Sequence, residues 1–591
     1  MCGIAGIYAY NSAPPAKREI EQMTEVLAHR GPDGSGFFQE DAVAFGHRRL
    51  SIIDIDSGQQ PMTSPTGQSI ITYNGEIYNF PQLRQNLVAE GYPFKTRSDT
   101  EVILALYEKY GMSFLDYISG MFAFALWDRT KRKLILTRDR IGIKPLYHCD
   151  FEGKIYFASE IKAIRSVLPQ LNELNPAAVN FYFTRQYVGG NCTIFNGIEK
   201  LPPASVMEIV RESKSEYRYW QPAPALQNGV TMSQAAIQLD GLFNEAVKGH
   251  LVSDVPVGVF LSGGVDSSCL LAFAAQNSQE PLNTFSVGFG QGSKFNEIDY
   301  ARILAEKYQT HHHEINVTGT EALKHLPFII EQLDEPIADY AILPTYLMSR
   351  FAAEKVKVVL SGEGADELFG GYKRYHLYAL KDLLSRTFLS GMFTKINLPG
   401  PCLFHEPERK RLLPGCFIQD DQMDAEQKMR TDQAFFQDAG HLNSMLYTDL
   451  RNWLVDDLLM KVDKMGMLAS LETRVPYLDQ KVAEYVLTLS GNFKTGLKEK
   501  KRLLKEVAKP HIPIEIIRRP KHGFTVPVGE WLKGPLHAVF EDTVLENSKI
   551  TQWVDVDFIS ALMQSHLKGK NVGLKLWSIL IFSWWVEKHF S

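Results

Sequence analysis

Val255-Pro256-Val257-Gly258-Val259-Phe260-Leu261-Ser262-Gly263-Gly264-Val265-Asp266-Ser267-Ser268 passes from an apolar run through a glycine turn into an apolar, helix-like stretch. A strand, turn and helix in this order form an anion cradle. Consecutive backbone N–H groups at the helix start, with the hydroxyls of Ser262, Ser267 and Ser268, can hold a phosphate while Gly263 and Gly264 let the loop wrap it. It is not a Walker A loop, because no Gly-Lys-Ser/Thr closes it. A second apolar run, 356–360, leads into Ser361-Gly362-Glu363-Gly364-Ala365-Asp366-Glu367-Leu368-Phe369-Gly370-Gly371-Tyr372. Between the two lie a strand-like stretch at 283–289, a helix-like one at 297–308 and another strand-like one at 311–317. This alternation predicts a doubly wound parallel sheet, with ligands beyond the carboxyl ends of its strands where the strand order reverses. Glu363, Asp366 and Glu367 beside a phosphate make sense if Mg²⁺ bridges them; otherwise they are a solvated acidic helix start.

The chain opens Met1-Cys2-Gly3. If the initiator methionine is removed, Cys2 carries a thiol and a free α-amino group. Such an amine, with an ordinary pKa of about 7.7 to 8.0, is poised to take the thiol proton without a histidine. Arg49, in His47-Arg48-Arg49-Leu50-Ser51, offers a planar fork for an α-carboxylate, while Glu76 and Asp99 are acceptors for an α-ammonium. The Asn74 amide and the Gly75 N–H are candidates to face a developing oxyanion. Each has a plainer reading: Asn74-Gly75 as a hairpin turn, and Ser98 with Glu101 as a helix capping box that makes Asp99 a first-turn charge.

Met1-Cys2-Gly3-Ile4, His29-Arg30-Gly31-Pro32-Asp33, Arg49-Leu50-Ser51-Ile52, Asn74-Gly75-Glu76 and Ser98-Asp99-Thr100-Glu101 resemble the class II glutamine amidotransferases, over about the first 200 residues. The resemblance implies an N-terminal-nucleophile hydrolase: Cys2 attacks the glutamine side-chain amide, ammonia leaves, and a thioester is hydrolysed to glutamate. The loop from Ser262 to Ser268 resembles the ATP pyrophosphatase motif. Together with the Ser361 to Tyr372 segment, Lys461-Val462-Asp463-Lys464 and Leu471-Glu472-Thr473-Arg474-Val475-Pro476-Tyr477-Leu478-Asp479, it is similar to the glutamine-hydrolysing asparagine synthetase family. That resemblance implies that Leu261, Val287, Ser361 and Gly362 contact the adenosine of ATP and that the serine loop holds pyrophosphate. It makes Asp266 and Asp366 the magnesium ligands. Glu363 would act near the acyl-adenylate, and Lys501 would stabilise charge on the phosphates. Lys501-Arg502-Leu503-Leu504-Lys505 ends in lysine where the family more often has arginine; its plainer reading is a basic exposed helix over 498–505.

With 591 residues, 45% apolar and 22% charged, the chain can fill two cores. Its net charge of −5, with acids and bases interspersed, gives no basic stripe and argues against nucleic acid as a partner. The apolar run 576–586 is too short for a bilayer and reads as a terminal packing helix, so no membrane partner is expected. No apolar signal region precedes Cys2, and six cysteines without Cys-x-x-Cys pairing suit a reducing compartment, so the expected location is the cytoplasm. His311-His312-His313 lacks chelating intervals.

Short strand-like runs at 121–127, 133–137 and 154–158 suggest an α+β first domain of stacked antiparallel sheets flanked by helices, over 2–215. A linker follows at 216–235, rich in Pro and Ala near 221–231, and then an α/β domain over 236–591 with a parallel sheet and a helical C-terminal part. Residues 380–448 read as helical or irregular, broken by Pro399, Pro401, Pro407 and Pro414, without a function. The leading expectation is glutamine-dependent, ATP-dependent amidation of a carboxylate, with aspartate the first acceptor, through an adenylate. Alternatives are another acceptor in a specialised pathway, a cyclase similar to β-lactam synthetase, and a non-catalytic glutamine- or ATP-binding regulator. The oligomeric state, a homodimer included, stays open, as do the walls of the ammonia passage that the resemblance implies.

Overall fold

The computed structural model describes residues 2–289, 297–385, 402–418, 424–519 and 526–590, so Met1, Pro399 and Pro401 lie outside the described residues. Two six-stranded antiparallel sheets form the N-terminal part. In the first, strand Gly3–Ala9 lies between Lys154–Ala158 and Val43–Arg49. In the second, Ser69–Ile77 pairs with Gly120–Asp128, which pairs with Lys133–Arg138. Ile4, Val43, Phe45 and Phe157 from one sheet pack against Ile70, Ala123, Trp127 and Leu136 from the other. Helices Phe80–Ala89 and Asp99–Tyr110 cover the outer face of the second sheet, and Lys17–Glu25 with Ile161–Val167 cover the first. The expected sandwich is thus a four-layer one, and strands buried on both faces explain why Gly3–Ala9 is apolar throughout.

Asn74 and Gly75 do not make a turn. They continue the strand to Ile77, opposite Ala123 and Phe122, because the pairing with the long strand Gly120–Asp128 outweighs the local turn preference. The capping box at Ser98 also gives way. Ser98 accepts from the Thr100 N–H, but Glu101 turns back to accept from the N–H groups of Lys95 (2.9 Å) and Thr96 (2.7 Å).

Strand Ser213–Arg218 ends the second sheet and helix Met232–His250 opens the C-terminal part, capped reciprocally by Thr231 and Gln234. The irregular connection, 219–231, lies inside the expected linker. Beyond it a five-stranded, all-parallel sheet runs in the order His311–Asn316, Asn283–Gly288, Val257–Phe260, Val358–Leu360, Glu472–Arg474. Its first strand in sequence is central, and the order reverses between it and Val358–Leu360, in the register Val257 to Val358 and Val259 to Leu360. The two small-residue loops therefore leave the carboxyl end of the sheet side by side. The 17-residue helix Gly573–His589 is buried from Leu576 to Val586, as the apolar run anticipates. Its Trp577 and Trp585 indoles donate to the carbonyls of Ala338 (3.1 Å) and Leu333 (2.9 Å). No described helix is long and apolar enough to cross a membrane.

Candidate active sites

Cys2 is buried just ahead of strand Gly3–Ala9, and its backbone nitrogen donates to Asn74 Oδ1 at 2.9 Å across the gap between the two sheets. The Asn74 amide is fully buried, and its Nδ2 has no hydrogen-bond partner among the described residues. One end of this amide thus holds the nucleophile's own nitrogen, while the other is a buried, unengaged donor. Burial pushes the Cys2 thiol up, opposed by the Leu50 N–H and the Arg49 charge. Arg30 Nε donates to the Cys2 carbonyl at 3.1 Å.

Asn74 and Glu76, two apart on a strand, share a face. Glu76 and Asp99 are both buried, and burial pushes both carboxyls up. For Glu76 the neighbouring Glu472 adds to the rise; for Asp99 the Ile77 N–H (3.0 Å) and Tyr73 hydroxyl (2.8 Å) oppose it. Arg49 donates through its terminal nitrogens to the carbonyls of Ile53 (3.2 Å), Asp54 (2.6 Å) and Ile55 (2.8 Å), fixing the loop after its strand. Gly75 lies against the neighbouring strand, where a Cβ would come within 2.2 Å of the Met121 carbonyl.

A cavity of about 780 Å³ opens at the switch point of the parallel sheet, a size suited to a nucleotide and a small partner. Leu261, Ser262, Gly264, Asp266 and Ser267 line it from the first loop, Val287 from its strand, and Ser361, Gly362, Glu363 and Asp366 from the second loop. Gly263 and Ser268 shape the loop from behind. Gly263 takes a positive φ of 68°, and a Cβ there would meet Tyr300 at 2.7 Å; Ser268 Oγ donates to the Gly264 carbonyl at 2.5 Å. The Ser262 and Ser267 hydroxyls lie 2.9 Å apart.

Lys501 is no part of an exposed helix. It precedes helix Arg502–Ala508 in a left-handed conformation (φ 54°), is buried, and its Nζ bridges Asp266 Oδ2 (2.5 Å) and Asp366 Oδ1 (2.6 Å). Burial disfavours its charge, but the two carboxylates overcome that and raise its pKa. Gly371 permits the arrangement, since a Cβ there would overlap Asp366 Oδ1 at 1.6 Å. Asp266 Oδ1 is buried without a hydrogen-bond partner among the described residues. Two carboxylates that already converge on one cation, one with an oxygen unengaged among the described residues, have the donor chemistry that a Mg²⁺ would need. Beside them, burial and the Asp366 charge push Glu367 up to about 8, while the Tyr372 hydroxyl donates to it at 2.6 Å.

Several residues at and between the two sites carried no assigned role in the sequence. Arg519 Nη1 donates to the Gly263 carbonyl at 2.9 Å and pairs with Glu297, clasping the serine loop. Lys461 pairs with Asp339 at 2.8 Å. Arg474 has the most central position. Its guanidinium pairs with Glu472 (2.6 Å) and with Glu76 of the other domain (3.3 Å), while its carbonyl accepts from the Ser361 N–H at 2.8 Å. Arg474 stood in a quoted motif, yet only the packing of the two domains reveals that it touches both sites. Further buried charges tie the domains: Asp463 to Arg30 (2.9 Å) and Lys144 (3.6 Å), and Lys464 to Glu160 (3.7 Å).

Comparison with known proteins agrees with this two-site architecture. Residues 238–587 match the asparagine synthase family model, and residues 1–220 match the glutamine amidotransferase domain model. Asparagine synthetase (glutamine-hydrolyzing) 1 of Bacillus subtilis (strain 168) is 34% identical over 100% of this chain and 98% of its own length. Asparagine synthetase B (glutamine-hydrolyzing) of Escherichia coli (strain K12) is 31% identical over 90% of this chain and 83% of its own. Asparagine synthetase (glutamine-hydrolyzing) 3 of Bacillus subtilis (strain 168) is 30% identical over 90% and 89%. With a glutamine amidotransferase domain in front of a synthase domain, the chain belongs to the asparagine synthase family.

Proposed function

We propose that this chain is a cytoplasmic, glutamine-hydrolysing asparagine synthetase that converts aspartate, ATP and glutamine into asparagine, AMP, pyrophosphate and glutamate. The observation that carries the reading is the shared strand Glu472–Arg474: Arg474 pairs with Glu76 beside Cys2 and hydrogen-bonds Ser361 on the cavity wall, so nitrogen release and carboxylate activation are built back to back.

In the glutaminase step, the Cys2 sulfur, once its residue is N-terminal, attacks the side-chain carbonyl carbon of glutamine. Its α-amine, held by Asn74 Oδ1, takes the thiol proton. Asn74 Nδ2, with the Gly75 N–H, receives the oxyanion, and collapse of the tetrahedral species expels ammonia and leaves a thioester that water hydrolyses. Glu76 and Asp99 are suited to the α-ammonium of glutamine, because an entering cation offsets the cost that burial places on their charged forms.

In the synthetase step, a carboxylate oxygen of aspartate attacks the α-phosphorus of ATP and pyrophosphate departs into the serine loop. Ammonia then attacks the acyl carbon and AMP leaves. Asp266 and Asp366 would hold Mg²⁺, which supplies neutralising charge on the phosphates when bound. Lys501 stands beside them as a fixed counter-charge, and Glu363, which lines the cavity from the second loop, would act near the acyl carbon. A single apolar cluster reaches from Leu50, whose N–H lies at the Cys2 thiol, through Ile141, Ile143 and Leu454 to Leu458 on the cavity wall. An apolar route favours neutral ammonia over ammonium.

Aspartate labelled with ¹⁸O in its side-chain carboxylate tests the adenylate directly. One label per turnover is expected in AMP; label in inorganic phosphate, with ADP as the nucleotide product, would overturn the mechanism.

A further inference from the structure

Arg451, the last residue of helix His441–Arg451, is 4% exposed, and its Nε and Nη2 are buried with no hydrogen-bond partner among the described residues. These two nitrogens share one edge of the guanidinium, the edge whose parallel N–H groups grip two oxygens of a carboxylate or phosphate at once. Buried arginines elsewhere in the chain are engaged: Arg30 with Asp463 and Glu160, Arg474 with Glu472, and Arg138 with backbone carbonyls. A buried donor without a partner carries a desolvation penalty that a charged group feels most, so the bare edge of Arg451 calls for an acceptor.

No acid nearby is free to supply it. Helix Asp424–Phe435 packs against helix His441–Arg451, with Phe436 stacked on Tyr447 at 4.4 Å towards one end and Asp432 accepting from Asn452 Nδ2 at 3.0 Å towards the other. The second acid, Asp456, accepts from the Gly190 N–H at 3.0 Å and lies 3.7 Å from Lys200. Lys428 sits one turn before Asp432 on the same helix face and so faces Arg451, while Arg218 approaches from the strand Ser213–Arg218 that ends the N-terminal part. Burial pushes both Arg451 and Lys428 down. Arg218 adds to the fall at Arg451, and at Lys428 the Arg451 charge works against the relief that Asp456 gives. An entering anion would relieve both cations.

We propose that Arg451 and Lys428 form a binding site for a small free oxyanion of the phosphate type, seated between the two helices and the last strand of the N-terminal part. The Nε and Nη2 edge of Arg451 takes two of its oxygens, Lys428 Nζ neutralises the remaining charge, and Arg218 adds to the field from the other domain. Burial favours a free ion over the phosphate of a larger metabolite, whose body would need an opening. Neither Arg451 nor Lys428 lines the nucleotide cavity, so this site is distinct from the serine loop.

The test is equilibrium dialysis of the full chain against radiolabelled inorganic phosphate, with Mg²⁺ and α,β-methylene ATP present to occupy the serine loop. The wild type should bind one phosphate per chain, and Arg451→Met and Lys428→Met should each weaken that binding at least about 10-fold, the worth of one charge-assisted hydrogen bond. In phosphate-free buffer Arg451→Met should melt no lower than the wild type, because it removes an unpaired buried charge, and phosphate should raise the melting temperature of the wild type alone. A merely structural arginine would give a destabilised variant whose phosphate response is unchanged. No phosphate bound by the wild type at millimolar concentration, or equal binding in both variants, would overturn the site. Sulfate should displace the label and chloride should not; displacement by chloride would overturn the oxyanion, and tighter displacement by ribose 5-phosphate than by phosphate would overturn the free ion. Each variant tests the site by itself if the other does not fold.

Discussion

Replacing Asn74 with alanine should separate the two chemistries of this chain. The side chain does two jobs: Oδ1 accepts from the Cys2 nitrogen at 2.9 Å, and Nδ2 is a buried donor with no partner among the described residues. Removal of one oxyanion donor from a preorganised site costs about 10²–10³ in kcat, or about 2.7–4 kcal/mol of transition-state stabilisation. Loss of Oδ1 also leaves the Cys2 nitrogen unpaired, a further penalty of about 1–3 kcal/mol on the folded state. Glutaminase kcat should therefore fall by at least 100-fold, with a lower melting temperature. Ammonia-supported AMP formation should stay within about threefold of wild type, because the cavity at the parallel sheet does not use this amide. The assay measures glutamate release from glutamine and AMP release with ammonium chloride on the same preparation. Unchanged glutaminase, or equal loss of both activities in a folded protein, would refute the assignment of Asn74.

Three other outcomes follow from the same geometry. Cys2→Ala should abolish glutamine-supported synthesis and leave ammonia-supported synthesis largely intact, measured as asparagine formed with each donor; loss of both in folded protein contradicts the division of labour. Lys501→Met leaves Asp266 and Asp366 facing each other without their shared cation, so synthesis should fall at least about 100-fold with either donor while glutamate release survives; retained synthesis would remove Lys501 from the site. Burial alone pushes Lys494 down to about 7, with Asn443 Oδ1 as its acceptor at 2.7 Å. Between that value and its ordinary 10.5 the unfolded chain binds one more proton than the folded one, so stability should rise with pH, by about 2 kcal/mol from pH 7 to 9. In Lys494→Met that rise should be absent, and urea midpoints at the two pH values that shift equally in both proteins would exclude the effect.

Local chemistry made part of this architecture legible in the sequence. The serine loop and the Ser361 to Tyr372 segment each follow a short apolar strand, and a continuous stretch of chain suffices to describe a phosphate cradle. The terminal helix was legible for the same reason. Local signal alone left a plainer reading open at two assigned positions, and long-range pairing removes it. Asn74-Gly75 is no turn because the strand Gly120–Asp128 pairs with it, and Lys501 is no exposed helical lysine because Asp266, 235 residues away, draws it inward. One wall of the cavity was not legible at all. Arg374, Trp453 and Asp457 meet only through tertiary packing, and no spacing rule links an arginine after one loop to an aspartate in a helical turn. Arg474 shows the same limit. Its two partners, Glu76 and Ser361, come from different domains, so its place between the sites exists only once they dock.

The central claim is that one chain joins glutamine hydrolysis to adenylation of aspartate. Purified protein given glutamine, aspartate and Mg·ATP should release AMP, pyrophosphate and asparagine in equal amounts, with glutamate at least matching them. ADP in place of AMP, or glutamate accumulating with no asparagine formed, would contradict it.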